Sequence, residues 1–255
     1  QPDPPVGENY VRECQWEPSV EFEIPKDWLS GVYLGKLTAE KTGTQSYVIF
    51  IVRDDRPCDF LFQCSDLTWS AYNRWPADYS SYTPHEEGYS TIGVPSGTVS
   101  FDRPYSKYAQ IYENPQSIGS GEWLCFEFPF AYWMEKHGYD VTYCSNADIA
   151  DESYARPGRF KGFLSVGHDE YWDIRQYNNV VKMRDTGTNL MFFSGNSVCW
   201  VTPFSDSSDG RPKRIMFRGG PYGGGYKYAT QRAKNHGPFP ERGPDEAYLM
   251  GPRKV

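Results

Sequence analysis

Histidine is scarce in this chain, four in 255 residues, at positions 85, 137, 168 and 236. A centre built on several neighbouring imidazoles therefore has little to draw on. The six cysteines contain no C-x-x-C pair, which argues against a structural zinc site. No G-x-S-x-G elbow occurs, which argues against a serine hydrolase of that type. The longest apolar run, YVIFIV at 47–52, is far shorter than the roughly 20 residues that span a bilayer. Positive charge is in deficit: 26 Lys and Arg face 33 Asp and Glu, a net charge of −7. Nucleic-acid binders neutralise phosphates with Lys and Arg, so that class is excluded, and so is a membrane partner. No secretory leader is visible and the chain opens at Gln1, so a removed leader or upstream segment is expected.

What the chain has instead is aromatic surface. Tyr, Trp and Phe make up 17% of it, with 20 Tyr and 8 Trp, too many for a disordered chain. Cys64, Cys144 and Cys199 sit in or beside apolar runs, where free buried thiols are expected, although pairing is not readable from sequence. The cysteines leave the compartment open, with an extracytoplasmic location, periplasmic or secreted, preferred over the cytoplasm.

Two textures divide the chain. Residues 1–55 read as a β-rich attachment, with strand-like runs SVEFEI (19–24), SGVYLGKL (30–37) and SYVIFIV (46–52). Three strands alone are marginal, so further partners are expected elsewhere. Residues 56–255 alternate strands and helices. Strands are expected at CDFLFQCS (58–65), YDVTYCS (139–145), GFLSVG (162–167) and NLMFFSG (189–195). Helices are expected over 122–138, stopped by Gly138, over 147–155 and over 169–185. Apolar strands alternating with helices imply a mostly parallel sheet covered on both faces, an α/β fold of the doubly wound, three-layer kind. The stretch 66–121 reads as a long ordered loop over something, and the glycine-rich 217–228 as a loop rather than a phosphate cradle.

Ligands of open parallel sheets bind outside the carboxyl ends of the strands. Three such ends are followed by DLTWSAYN (66–73), HDEYW (168–172) and NSVCW (196–200), which gathers Asp66, Tyr72, Asn73, His168, Asp169, Glu170 and Asn196 along one edge. His168 and Glu170, two apart in extended backbone, can reach one point while Asp169 faces elsewhere. An imidazole with a carboxylate suits a first-row transition metal, with Asp66 or Tyr72 as a third donor, and a phenolate would favour ferric iron over zinc. The plainer alternative makes Asp169 and Glu170 the acidic first turn of the 169–185 helix. A Cys199–His168 nucleophile is a further alternative. Asp102 and Arg103 of SFDRPY (100–105) read as an ion pair, and Tyr72 could be packing alone.

EIPKDWLSGVYLGKL (23–37), TWSAYN (68–73), SFDRPY, FPFAYWMEKHGYDVTY (128–143), SVGHDEYW (165–172), NLMFFSGNSVCW (189–200) and DEAYLMG (245–251) follow one another in an order that resembles the C-terminal region of the large (beta) subunit of N,N-dimethylformamidase. The resemblance spans nearly the whole chain. It implies a glutamine-amidotransferase-like, flavodoxin-like α/β domain with a β-rich attachment, and a mononuclear iron held by Tyr, His and Glu. Carried over by residue, His168 and Glu170 match the His-x-Glu ligands, Asn196 an active-site asparagine, and Tyr72 of AYN the tyrosine, with Tyr82 and Tyr89 as other candidates. NRWPAD after Tyr72 departs from the family's pattern. Relatives continue past LMG into a stretch carrying an acidic general base, so the expectation is a truncated or processed chain, a missing C-terminal partner fragment, or a protein lacking that base. The expected function is iron-dependent hydrolysis of the C–N bond of a small amide, in a homo- or hetero-oligomer. The alternatives are a non-catalytic binding or structural module that assembles with other chains, and an oxidative iron enzyme.

Overall fold

Four apolar runs pair as one parallel sheet in the computed structural model, which describes residues 2–7, 10–76, 79–82, 97–106, 120–223 and 242–251. They are β3 (Cys58–Gln63), β5 (Val141–Cys144), β6 (Phe160–His168) and β8 (Asn189–Gly195), side by side in the order β5-β3-β6-β8. β3 therefore leads outward to β5 on one side, and the chain returns to lay β6 on the other. Sheets of this kind bind ligands at such a reversal, here the carboxyl ends of β3 and β6.

Alternate residues of the central strands feed opposite faces. Leu61 and Phe163 pack on one face with α4 (Asn146–Ile149), through Ile149, and with α5 (Ile174–Asp185), through Val180 and Met183. Phe62 and Leu164 pack on the other with α2 (Trp123–Phe126) and α3 (Phe128–Lys136), through Trp123, Ala131 and Met134. Each fully buried Leu, Ile, Val, Phe or Met among them contributes about 1.5–3 kcal/mol. The expected helix over 122–138 is broken at Glu127, because Pro129 fits a helix's first turn but not its interior. Gly138, at φ 73°, stops α3 as expected.

β1 (Gly31–Thr38) and β2 (Gln45–Val52) form an antiparallel hairpin in register from Gly31–Val52 to Thr38–Gln45. Val32, Ile49 and Ile51 pack against the α2–α3 side of the sheet. SVEFEI forms no strand: Val20 and Phe22 are exposed, and no strand edge among the described residues pairs with them.

The stretch 66–121 is not loop throughout. It opens with α1 (Asp66–Tyr72) and holds β4 (Gly97–Ser100), which joins an antiparallel sheet β10-β11-β4 with β10 (Phe204–Ser205) and β11 (Ile215–Arg218). Phe217 and Arg218 are thus strand, not loop. β7 (Tyr171–Trp172) and β9 (Trp200–Val201) pair in parallel, and α6 (Ala247–Met250) packs on α5. Among the described residues, which include all six cysteines, there is no disulfide, and no helix is long and apolar enough to cross a membrane. The Asp102–Arg103 pair does not form. Asp102 instead accepts from Arg214 at 2.6 Å and pairs with Arg211 at 3.0 Å. Arg103 is buried and donates to five backbone carbonyls, those of Ser70, Asn73, Trp75, Tyr79 and Ser100, which fastens the end of α1.

Candidate functional site

The end of β6 is shaped by Gly167. Its φ is 83°, and a Cβ there would lie 2.7 Å from the Cβ of Phe126, so only glycine fits. The chain turns at this point, and His168 presents its ring between α2 and the carboxyl end of the sheet. α5 does not begin at 169. Its N-cap is Asp173, which shares a capping box with Gln176. Asp169 and Glu170 precede the helix, so their reading as its acidic first turn is set aside.

The two acids face apart. Asp169, wholly buried, accepts from Gln63 Nε2 at 2.6 Å, Ser165 Oγ at 2.8 Å and Asn146 Nδ2 at 3.1 Å. Burial pushes its pKa up to about 6 against the pull of these donors. This carboxylate ties the ends of β3, β5 and β6 together from beneath. Glu170 points the other way. Its Oε2 accepts from the Tyr72 hydroxyl at 2.8 Å and lies 3.1 Å from His168 Nε2. Its Oε1 accepts from Trp200 Nε1 at 2.9 Å, and its backbone N–H donates to Thr68 Oγ1 at 3.0 Å.

The loop after β8 closes on this segment. The N–H groups of Val198, Cys199 and Trp200 donate to the carbonyls of Asp169 and Glu170. Asn196 and Val198 take left-handed backbone, φ 52° and 51°, to make the turn. For Val198 that costs roughly 1–2 kcal/mol. The turn brings Asn196 Nδ2 to 3.3 Å from His168 Nε2. Asn196 is exposed, Tyr72 half-buried and His168 buried, so the cluster opens to solvent past the asparagine.

The four expected residues Tyr72, His168, Glu170 and Asn196 therefore stand together. Asp66 and Asn73 do not join them. Asp66 Oδ1 accepts from the Asn146 N–H at 2.7 Å and lines a separate cleft of about 870 Å³ with Trp69 and Tyr105. Asn73 spends its amide on Trp75, Pro104 and Ser106. Cys199 is buried in a cluster with Leu67, Ala71 and Met216, so its thiol serves the core. Tyr82 stands one hydrogen bond behind Tyr72, with 3.0 Å between the hydroxyls. Tyr89, His85 and His236 lie outside the described residues. The sequence reading missed Glu122, whose buried carboxylate is 3.6 Å from His168 Nδ1, together with Thr68, Trp200 and Arg218. Glu122 sits at a helix start like any other acid, and no local motif marks it.

Burial alone would lower the pKa of His168. Hydrogen bonding and charge from Glu122 and Glu170 outweigh it and raise it to about 9. Burial, with the neighbouring Glu170, raises the Tyr72 phenol well above its usual range. Tyr72 and His168 both stand as proton donors against one oxygen of Glu170. Their chemistry also suits a cation: a phenol oxygen, a carboxylate oxygen and an imidazole nitrogen converge with 2.8 and 3.1 Å between neighbours. Donors bound at about 2.0–2.2 Å and at right angles around one metal stand roughly 3 Å apart. Among the described residues no three His, Cys, Asp or Glu side chains come together to hold a metal, so a three-donor centre here depends on the Tyr72 oxygen.

No curated protein matches the chain. Residues 1–251 match the model of one family, and the chain accordingly belongs to the N,N-dimethylformamidase beta subunit-like, C-terminal family.

Proposed function

We propose that the chain carries the metal centre of a hydrolase that cleaves the C–N bond of a small amide. The family suggests a dimethylformamidase-like hydrolase. The observation that carries the site is the convergence of Tyr72 Oη and His168 Nε2 on one oxygen of Glu170. These three residues would hold a single iron, ferric in preference to zinc because one donor is a phenolate. Such an ion supplies Lewis-acid polarisation of the amide carbonyl. Trp200 and Thr68 fix the Glu170 carboxylate and backbone, and Glu122 orients the ring of His168 from its far side. Asn196 donates from the solvent side toward the oxygen on which charge develops, a contact worth roughly 3–4 kcal/mol in such sites. The strand order β5-β3-β6-β8, with the cluster beside its reversal, supports a doubly wound, glutamine-amidotransferase-like domain.

The test is turnover by the full chain reconstituted with iron. Formate and dimethylamine released from N,N-dimethylformamide, lost in Glu170→Gln and reduced about 100-fold or more in Asn196→Ala, are expected. A folded, iron-loaded chain that cleaves no small amide would overturn the assignment.

A second reading, a module that assembles with other chains, draws on the subunit designation of the family and on the exposed Phe128, Tyr132, Trp133 and Phe193. Metal-free protein of intact fold would favour it.

A further inference from the structure

α1 divides two sites. Thr68 and Tyr72, four apart, share the helix face that meets Glu170. Asp66 and Trp69, three apart, share another and line the cleft of about 870 Å³, with Tyr105, Phe101, Ile49 and Ile51 as further wall. Its volume falls in the range of small-molecule sites, roughly 300–1,000 Å³.

Most charges along this cleft are spent. Asp102 pairs with Arg211 and Arg214, Asp148 pairs with Arg53 at 2.6 Å, and Arg103 serves backbone carbonyls. Glu17 is exposed. Two charges of opposite sign remain, and neither forms an ion pair among the described residues. Asp66 Oδ1 accepts from the Asn146 N–H at 2.7 Å. Lys213, in the turn between β10 and β11, donates from Nζ to the Ala147 carbonyl at 3.2 Å, which leaves its other N–H groups for a ligand. Its backbone is held left-handed, at φ 55°. The two side chains are thus moored to consecutive residues, whose Cα atoms stand about 3.8 Å apart, without meeting each other.

We propose that this cleft binds an apolar α-amino acid, its ammonium on Asp66, its carboxylate on Lys213 and its side chain against Trp69, Phe101 and Tyr105. An α-amino acid carries its two opposite charges one carbon apart, which suits protein charges moored side by side. A plain amine would leave the Lys213 charge unanswered and repelling, and a plain carboxylate would face Asp66. Burial raises the Asp66 pKa to about 7, and an ammonium beside it favours the charged form. The aromatic walls attract both an apolar side chain and a cation. The site is separate from the metal centre proposed above and does not depend on it.

Calorimetric titration of the full chain with L-phenylalanine tests this. One molecule per chain is expected to bind. Asp66→Asn and Lys213→Met are each expected to weaken binding about tenfold or more, as loss of a charge-assisted contact does. Asp66→Asn keeps an acceptor for Asn146, and Lys213→Met lies in a turn, so either preserves the test should the other misfold. Phenethylamine, which lacks the carboxylate, and hydrocinnamate, which lacks the ammonium, are expected to bind about tenfold or more weakly than phenylalanine. In Lys213→Met the gap between phenylalanine and phenethylamine should close, whereas a merely structural lysine would weaken both alike. Glu170→Gln, which disables the proposed metal centre, should bind phenylalanine as wild type does. A folded wild-type chain that takes up no phenylalanine at millimolar concentration overturns the inference, as does phenethylamine binding as tightly; both leave the metal centre standing. Binding lost in Glu170→Gln and kept in Asp66→Asn also overturns it, by placing the ligand at the other site.

Discussion

The Tyr72 hydroxyl donates to Glu170 Oε2 at 2.8 Å across 98 residues of sequence. α1 delivers the phenol from the end of β3, and the turn after β6 delivers the acid. Neither element alone would make a site. The contact exists because the two strands are neighbours at the reversal of the sheet, and because Gly167, Asp169 and Arg103 hold the adjoining segments in place.

Gly167→Ala should test the first of these supports. The substitution forces a positive φ on alanine and drives its Cβ into Phe126, so a loss of about 2–4 kcal/mol is expected. Urea denaturation would register it as a lower midpoint at unchanged slope.

Asp169→Asn tests the second. Gln63, Asn146 and Ser165 all donate to Asp169, so an amide nitrogen in place of one oxygen meets a donor. A cost of about 2–4 kcal/mol is expected. Iron uptake should weaken as well, since His168 and Glu170 flank the displaced residue. Thermal melts and metal titration of the same preparation measure the two effects.

Arg103→Met removes the third support. It leaves several buried carbonyls at the end of α1 without their donor, and about 3–5 kcal/mol of stability should go with it. Exposed Arg56, exchanged for Met as a control, should cost under about 1 kcal/mol, because it makes surface ion pairs.

The pH dependence of stability should carry a mark from Asp66. Burial raises its pKa to about 7, the Asn146 N–H pulls it down, and the charges of Asp148 and Asp169 add to the rise. The folded state thus binds this proton more tightly than the unfolded state. The stabilisation is fully present below the unfolded pKa near 4 and is lost as pH climbs through 7. Asp66 is only half-buried as a residue, which limits it to on the order of 2 kcal/mol. Asp66→Asn should flatten the stability profile between pH 4 and 7 by that amount; a profile unchanged from wild type would refute the assignment.

The strands were legible because a parallel sheet buried on both faces needs uninterrupted apolar runs, and FLFQ, FLSV and LMFF are such runs. The meeting of Tyr72, His168, Glu170 and Asn196 followed from placing their segments at strand ends. The helix start did not follow, because Asp169 and Glu170 look like a favourable first turn, and only tertiary donors, Gln63, Asn146 and Ser165, reveal what Asp169 does. α1 was hidden in an aromatic stretch, its polar and apolar residues read as loop. SVEFEI alternates like a strand, but alternation without an edge to pair with makes none. Glu122, Trp200 and Arg218 act on the cluster from elements far apart in sequence, and nothing in their local sequence marks that role.

Iron content of the purified full chain is the most direct measure of the central claim. Elemental analysis after reconstitution and removal of loosely held metal should give one iron per wild-type chain. His168→Ala and Glu170→Gln should each hold less than a tenth of that, with wild-type circular dichroism. A wild-type chain that folds yet retains no iron, or variants that keep it, would contradict the account.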